Sequence, residues 1–347
     1  MKTTTEYVEL VPVSDMLAIS GSLSSSEIST PTNWIDLETN FPYFESAAKQ
    51  QLLRSAPLLQ KRIASYSNDL PAMLHIRGLS GNRAKVPTFY DGIIKTELIW
   101  EELTTFIGCL SSLELKLVGY SRKNNGRLLR SVAPTTKGIF QLGSQGSARE
   151  LPMHVDNADL LFPREYDEIK TGPKTSAKYL AWLVLNAEPD VPIEYVILED
   201  ALLLHPDKDD IGWLSAPVFD VNSPDSISDM TVSKNSKILV QNETGQFVSR
   251  YNQAKISSKN LQAQLAFDRF TKTVNDPRIR KTIYAQRGDV ILLDNFRCLH
   301  GRRKFLSRDD GTDRQMIRVY AMRENEFQKV PDKYLSPEHR SGRIFFS

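Results

Sequence analysis

Three side chains in this sequence have the types and the setting to hold a metal ion: His154, Asp156 and His300. The first two lie in Leu151-Pro152-Met153-His154-Val155-Asp156, two residues apart. Residues i and i+2 of a strand project from the same face, so the pair is expected to point one way. A polar-sided surface strand or a buried His–Asp hydrogen bond gives the same local pattern, and a metal site needs a third ligand. His300 has the most informative context: the apolar run Val290 to Leu293 leads into Asp294-Asn295 and then to His300-Gly301. His205, in LLLHPDKDD, reads as a loop or helix end, while His75 and His339 lie beside no other candidate ligand. These three are read as structural or exposed.

Two neutral imidazoles and one carboxylate on one face of a metal leave its other positions open, the arrangement of non-heme Fe(II) oxygenases. The same ligands on zinc would suit a hydrolase. The stretch RQMIRVYAM, residues 314–322, bears on the choice. In a strand, Arg314, Met316, Arg318, Tyr320 and Met322 share one face, and the mostly apolar Gln315, Ile317, Val319 and Ala321 share the other. The apolar face is expected on the core, which leaves two guanidinium groups on the first. Arginine keeps its charge, and burying it unpaired is costly. An exposed edge strand explains the pair; so does a pocket in which each arginine grips a carboxylate through two parallel hydrogen bonds. Their positions, 14 and 18 residues after His300, favour the pocket. A hydrolase has no evident use for both.

Short strand-like runs must position these groups: 115–120, 179–185, 194–198, 237–241, 289–294 and 316–322. Helical spacing of apolar residues marks 46–66, with Pro57 as a point of break or restart, and 92–112. A third helix is expected after Ser257-Ser258, which can cap it, ending before Asp276-Pro277. The pattern predicts a mainly β fold with flanking helices, a β-sandwich or jelly roll. No composition shift marks a boundary, so residues 1–347 read as a single domain with a helical N-terminal part, about 1–112. Residues 216–236, rich in Ser, Asp, Asn and Pro, read as a long loop and a possible lid.

Composition excludes several partners. With 44 Lys+Arg against 42 Asp+Glu, the net charge of +2 predicts neither a nucleic-acid surface nor a polybasic membrane patch. Two cysteines, Cys109 and Cys298, are too few for a disulfide framework and suit a reducing compartment. No signal peptide is evident, and no run approaches the ~18 apolar residues of a membrane span. A cytoplasmic protein is expected, with monomer and homodimer both open.

The assembled pattern of His154-Val155-Asp156, His300, Arg314 and Arg318 resembles the clavaminate synthase-like group of Fe(II)/2-oxoglutarate-dependent oxygenases, which includes hydroxylases of free arginine, asparagine and lysine. Residues 118–150, VGYSRKNNGRLLRSVAPTTKGIFQLGSQGSARE, resemble the segment ahead of the first metal histidine. Residues 288–320, GDVILLDNFRCLHGRRKFLSRDDGTDRQMIRVY, resemble the C-terminal signature. The resemblance spans roughly 95–323. It implies a double-stranded β-helix (a cupin-like jelly roll) in which His154, Asp156 and His300 bind Fe(II), with 2-oxoglutarate and O₂ as cosubstrates. Arg314 would pair with the distal carboxylate of 2-oxoglutarate and Arg318 with the substrate α-carboxylate. Asn124 or Asn125 falls near a position, often glutamine, that touches substrate amide or amino groups.

The implied reaction hydroxylates an unactivated C–H of a free amino acid or amino acid derivative, with release of succinate and CO₂. Desaturation, epoxidation or cyclisation on a carrier-bound or peptide substrate uses the same scaffold. A non-catalytic jelly-roll binding module is a further alternative, against which the intact triad argues. The chain also departs from the group. Asp156 stands where glutamate is common, and its presence argues against halogenation, for which relatives carry a small residue there. Asn252 stands where hydroxylases of basic amino acids tend to carry aspartate, which points to a neutral substrate side chain such as that of citrulline, glutamine or asparagine.

Overall fold

Period-two alternation along buried strands builds the frame of the site. A computed structural model of the chain describes residues 6–10, 37, 40–79, 86–121, 126–135, 139, 148–160, 162, 176–223, 232–328 and 344–345. Eight strands form the frame: β1 (Arg130–Val132), β2 (Leu151–His154), β3 (Tyr179–Asn186), β4 (Ile193–Ile197), β5 (Lys281–Ile283), β6 (Val290–Asp294), β7 (Cys298–Arg302) and β8 (Gln315–Arg323). One sheet runs β1-β8-β3-β6 and the other β2-β7-β4-β5, all antiparallel within these sets. Consecutive strands thus mostly switch between the sheets, the strand order of the jelly roll expected from the sequence.

The two sheets meet face to face. Leu180, Trp182 and Val184 of β3, Ile291 and Leu293 of β6, and Met316 and Tyr320 of β8 share one core with Ile193, Tyr195 and Ile197 of β4. The alternate residues Ala181, Leu183, Val290, Leu292, Ile317 and Val319 join a second core on the outer side of the first sheet. Both faces of β3, β6 and β8 are therefore buried, which explains their near-continuous apolar runs.

Helices α1 (Phe41–Ser55), α2 (Pro57–Ser65) and α3 (Trp100–Ser112) cover that outer side. Pro57 restarts rather than merely kinks the helical segment, because its missing N–H costs nothing at a first position. The helix expected from residue 92 begins at Trp100, after a short 3₁₀ turn over Thr96–Leu98. The N-terminal part is not helical throughout: Glu6–Leu10 and Met73–Arg77 extend the first sheet beyond β6, while Leu115–Tyr120 pairs with the far end of β8.

On the outer side of the second sheet lie α4 (Leu198–Leu204), α5 (Asp209–Leu214) and α6 (Leu261–Val274), packed on Met153, Val196 and Leu299. The cap of α6 is Asn260, whose Oδ1 accepts the Ala263 N–H at 3.1 Å, and not the preceding serines. Much of the expected loop 216–236 is strand: Phe219–Asn222 pairs with Val232–Ser236 and Ile256–Ser258. Residues 224–231 lie outside the described residues. Cys109 and Cys298 are both free and buried. No helix among the described residues is long and apolar enough to cross a membrane.

Candidate active site

β2 and β7 set His154 directly opposite His300, with ring centroids 4.3 Å apart. Gly301 permits this close pairing, since a Cβ there would sit 2.8 Å from the Leu151 carbonyl oxygen. β2 ends at His154, so Asp156 does not share a strand face with it as expected. The chain turns instead. Val155 N–H donates to the Tyr251 carbonyl at 2.8 Å and Asp156 N–H to Asn295 Oδ1 at 2.8 Å. Asn295 Nδ2 donates back to the Asp156 carbonyl at 2.9 Å. This fully buried amide imitates a neighbouring strand and holds the turn in place. Asn157, with φ of 58°, completes it in the left-handed region that asparagine tolerates.

The turn nevertheless brings the three predicted ligands together. Asp156 Oδ1 lies 3.4 Å from His154 Nε2 and 3.9 Å from His300 Nε2. One ligand atom from each residue falls within 4.8 Å of the others, and among the described residues no other group of this kind occurs. His154 Nδ1 donates to the Pro152 carbonyl at 2.9 Å, which leaves the Nε2 lone pair aimed at the cluster. Burial, reinforced by the neighbouring His154, pushes the His300 imidazole down to about 3, so it is neutral and free to ligate. Burial alone would raise the Asp156 carboxyl, but Arg318 and the two imidazoles hold it well below the ordinary carboxylate range. Two neutral imidazoles and a carboxylate suit a divalent iron.

The two predicted arginines face the same cavity as the three ligands. Arg318 Nη1 donates to Asp156 Oδ2 at 2.9 Å, and the Tyr320 hydroxyl donates to the same oxygen at 3.1 Å. Arg314 lies one residue ahead of β8 and is buried. Among the described residues it pairs with no carboxylate; Nη2 touches Met316 Sδ at 3.3 Å. Burial and the nearby Arg302 push its pKa down to about 9, as for a buried cation that no carboxylate of the described residues compensates.

Asn252 also lines the cavity and bridges to His154 through its backbone. Asn124 and Asn125 lie outside the described residues, as does His339. His75 is buried against Asp289 at 2.8 Å, and His205 against Thr273 and Asp210 at 2.8 and 3.0 Å; both are structural, as expected. Sequence reasoning missed Asn295, Tyr320 and Trp182, whose ring meets His300 edge-on at 5.2 Å. Tyr320 carried a signal, being two residues beyond Arg318 on the same strand face. Asn295 carried none, because its partners come from other segments.

This geometry can be set beside known proteins. Residues 198–320 match the Taurine catabolism dioxygenase TauD, TfdA family. The matched segment contains His300, Arg314 and Arg318. No curated protein matches the chain. Among solved structures, asparagine oxygenase in complex with Fe(II), 2S,3S-3-hydroxyasparagine and succinate superposes with a TM-score of 0.76 at 17% identity, covering 98% of this chain and 99% of that one. The non-heme iron oxygenase OrfP in complex with Fe, succinate and (3S)-hydroxy-L-Arg gives 0.75 at 18% identity, with the same coverage. The fold is shared along nearly the whole chain.

Proposed function

We propose that the protein is an Fe(II)/2-oxoglutarate-dependent dioxygenase that hydroxylates an unactivated C–H of a free amino acid or amino acid derivative. One observation carries the reading: a two-histidine, one-carboxylate cluster shares a cavity with Arg314, a buried cation that pairs with no carboxylate among the described residues. His154, Asp156 and His300 would hold the iron, whose chemistry with 2-oxoglutarate and O₂ couples release of succinate and CO₂ to oxidation of the substrate.

The chain's own residues bind, orient and shield. Arg314 receives the distal carboxylate of 2-oxoglutarate, where its planar fork offers two parallel hydrogen bonds. Arg318, held by Asp156, presents its remaining donors to the substrate's α-carboxylate and so sets which carbon faces the metal. Trp182 and the apolar walls of the sandwich limit water at the reacting end. Asn252 meets the substrate side chain, and residues 216–236 can serve as cover, since Asn222 lines the cavity and Ser233 Oγ is tied to the Asp159 carbonyl at 2.6 Å.

One feature favours a second reading of the substrate. Asp159 is buried and lines the same cavity, so a carboxylate is near enough to serve a cationic side chain. The decisive assay supplies Fe(II), 2-oxoglutarate and each of the twenty amino acids plus citrulline and ornithine, and reads succinate and product mass. Substrate-stimulated succinate with a product heavier by one oxygen supports hydroxylation. A product lighter by two hydrogens indicates desaturation, and no consumption of 2-oxoglutarate under any condition rules out an oxygenase.

A further inference from the structure

We propose that Arg130 is a second substrate-binding arginine, sharing the substrate's carboxylate with Arg318. The inference rests on the function proposed above. β1 and β8 pair antiparallel with Arg130 directly opposite Arg318, so the two side chains leave the sheet on the same face. That face is the sandwich interior, where Arg318 reaches Asp156. Tyr320, two residues further along β8, adds a neutral hydroxyl to the same carboxylate oxygen.

Counting charge isolates Arg130. At the end of the cavity held by Asp156, two guanidinium groups, Arg318 and Arg130, act on that one carboxylate. Asp156 Oδ2 is taken by Arg318, and Oδ1 faces the histidines. Among the described residues Arg130 pairs with no carboxylate, and its buried Nε has no hydrogen-bond partner. The buried Nε of Arg318 has none either. Burial and the adjacent Arg318 guanidinium push the Arg130 pKa down to about 9, as they would for a cation short of an anion. Arg130 is half-buried, and a guanidinium whose Nε is closed off from solvent without a partner is costly unless a ligand compensates it.

Position identifies the ligand group. Arg314 and Arg318 are four residues apart, on the order of 13 Å along a strand. Arg130 lies opposite Arg318, and Val132, on the same face of β1, lines the cavity, so Arg130 belongs with the substrate end and not with the end where Arg314 would hold 2-oxoglutarate. A carboxylate shared by two guanidiniums is also more selective than one held by a single arginine, because an uncharged amide would leave both cations uncompensated.

The test uses Arg130→Gln and Arg130→Lys with the best substrate of the amino-acid panel. R130Q should raise the KM for the amino acid about 10- to 100-fold, the usual worth of a charged hydrogen bond, while the KM for 2-oxoglutarate stays within about twofold. R130K keeps charge but loses the fork and should fall between. A second measurement starts from the wild-type protein: the ratio of kcat/KM for the amino acid over its carboxamide, which should shrink about tenfold in R130Q. If R130Q does not fold, R130K still carries the test, with a smaller KM rise for the amino acid and a smaller shrinkage of the ratio than given for R130Q. An active wild type whose Arg130 variants keep both the KM and the ratio overturns this inference alone. A wild type that forms no succinate with any amino acid overturns the proposed function, and this inference with it.

Discussion

Arg318 Nη1 stands 2.9 Å from Asp156 Oδ2, on the opposite carboxylate oxygen from the one that faces His154 and His300. On the proposed function the carboxylate is divided: one oxygen would serve the metal, while the other holds Arg318, the arginine proposed to bind substrate. Asp156 would thereby fix the distance between the metal and the proposed α-carboxylate grip. The shorter aspartate arm suits this double duty, because any extra methylene would have to be absorbed by both partners.

The first prediction follows from that division. Asp156→Asn keeps the shape but offers an NH₂ group either to Arg318, a donor, or to the metal, which needs a lone pair. Fe(II)-dependent succinate formation should fall at least about 100-fold, and similarly in His154→Ala and His300→Ala, since even outer-shell changes at metal sites cost 10- to 100-fold. Near-normal turnover in any one of these variants would remove that residue from the ligand set.

Arg314→Lys tests the cosubstrate grip. Lysine retains the charge but not the planar fork, so the KM for 2-oxoglutarate should rise by about tenfold with the amino-acid KM little changed. Succinate formation at varied 2-oxoglutarate reads this directly. An unchanged KM would count against the assignment.

Arg314 is itself held by its neighbours. The Tyr90 hydroxyl donates to Asp313 Oδ2 at 2.7 Å and accepts the Gly311 N–H at 3.0 Å. Thr88 Oγ1 donates to the Asp313 carbonyl at 3.0 Å, and Phe89 N–H donates to Gln315 Oε1 at 3.3 Å. The segment 88–90 thus clamps the residues on both sides of Arg314. Tyr90→Phe should cost about 1–2 kcal/mol in urea unfolding and raise the KM for 2-oxoglutarate several-fold, leaving the amino-acid KM in place. A loss of stability with no change in either KM would make Tyr90 purely structural.

Local chemistry explains which features were legible in the sequence. The gathering of His154, Asp156, His300 and both arginines around one cavity was readable because metal binding and charge burial would restrict residue type at each position, and β8 declares its two faces by alternation. The strand cores were readable for the same reason, their apolar runs being dictated by burial on both sides. The turn at Asp156 was not, because Asn295 and Tyr251, which hold it, lie far away in the chain. Within 216–236, the strand Val232–Ser236 was hidden by its polar composition, being largely exposed, while Phe219–Asn222, with Phe219 and Val221 buried in alternation, is too short to stand out beside its Ser, Asp, Asn and Pro neighbours. Arg130 looked like any surface arginine until β1 was laid beside β8.

A stability prediction concerns α5 and α6. Buried Asp210 receives Arg269 Nε at 2.8 Å and lies 3.0 Å from His205 Nε2. The Arg269 hydrogen bonds, opposed by burial and aided by His205, lower the Asp210 carboxyl from its ordinary 3.8. A depressed folded-state pKa means the stabilisation is present above the unfolded value and lost as pH falls through the folded one. Asp210→Ala should therefore cost about 2 kcal/mol at neutral pH, where it leaves His205 Nε2 without its partner while Nδ1 keeps Thr273. The gap in urea midpoint between wild type and variant should close as pH drops below the ordinary carboxylate range. A gap that persists in acid would show that packing, not charge, is what the substitution removed.

The last prediction concerns the substrate side chain. Asn252 lines the cavity beside His154, and its Oδ1 accepts the Ala254 N–H at 3.2 Å. With that oxygen engaged, the Nδ2 group is what Asn252 offers to a ligand, a donor without charge. A urea or amide carbonyl matches it. A guanidinium or ammonium presents only donors of its own and, without a carboxylate, would carry a desolvation penalty on the order of several kcal/mol. Citrulline, glutamine and asparagine should thus be turned over in preference to arginine and lysine, by about tenfold or more in kcat/KM, given the cost of leaving buried polar groups mismatched. Parallel succinate assays with citrulline and arginine measure the ratio. Asn252→Asp should then move it toward arginine, because a carboxylate replaces the donor. A wild-type enzyme that prefers arginine would transfer the selecting role from Asn252 to the buried Asp159, and Asp159→Asn would become the variant that abolishes that preference.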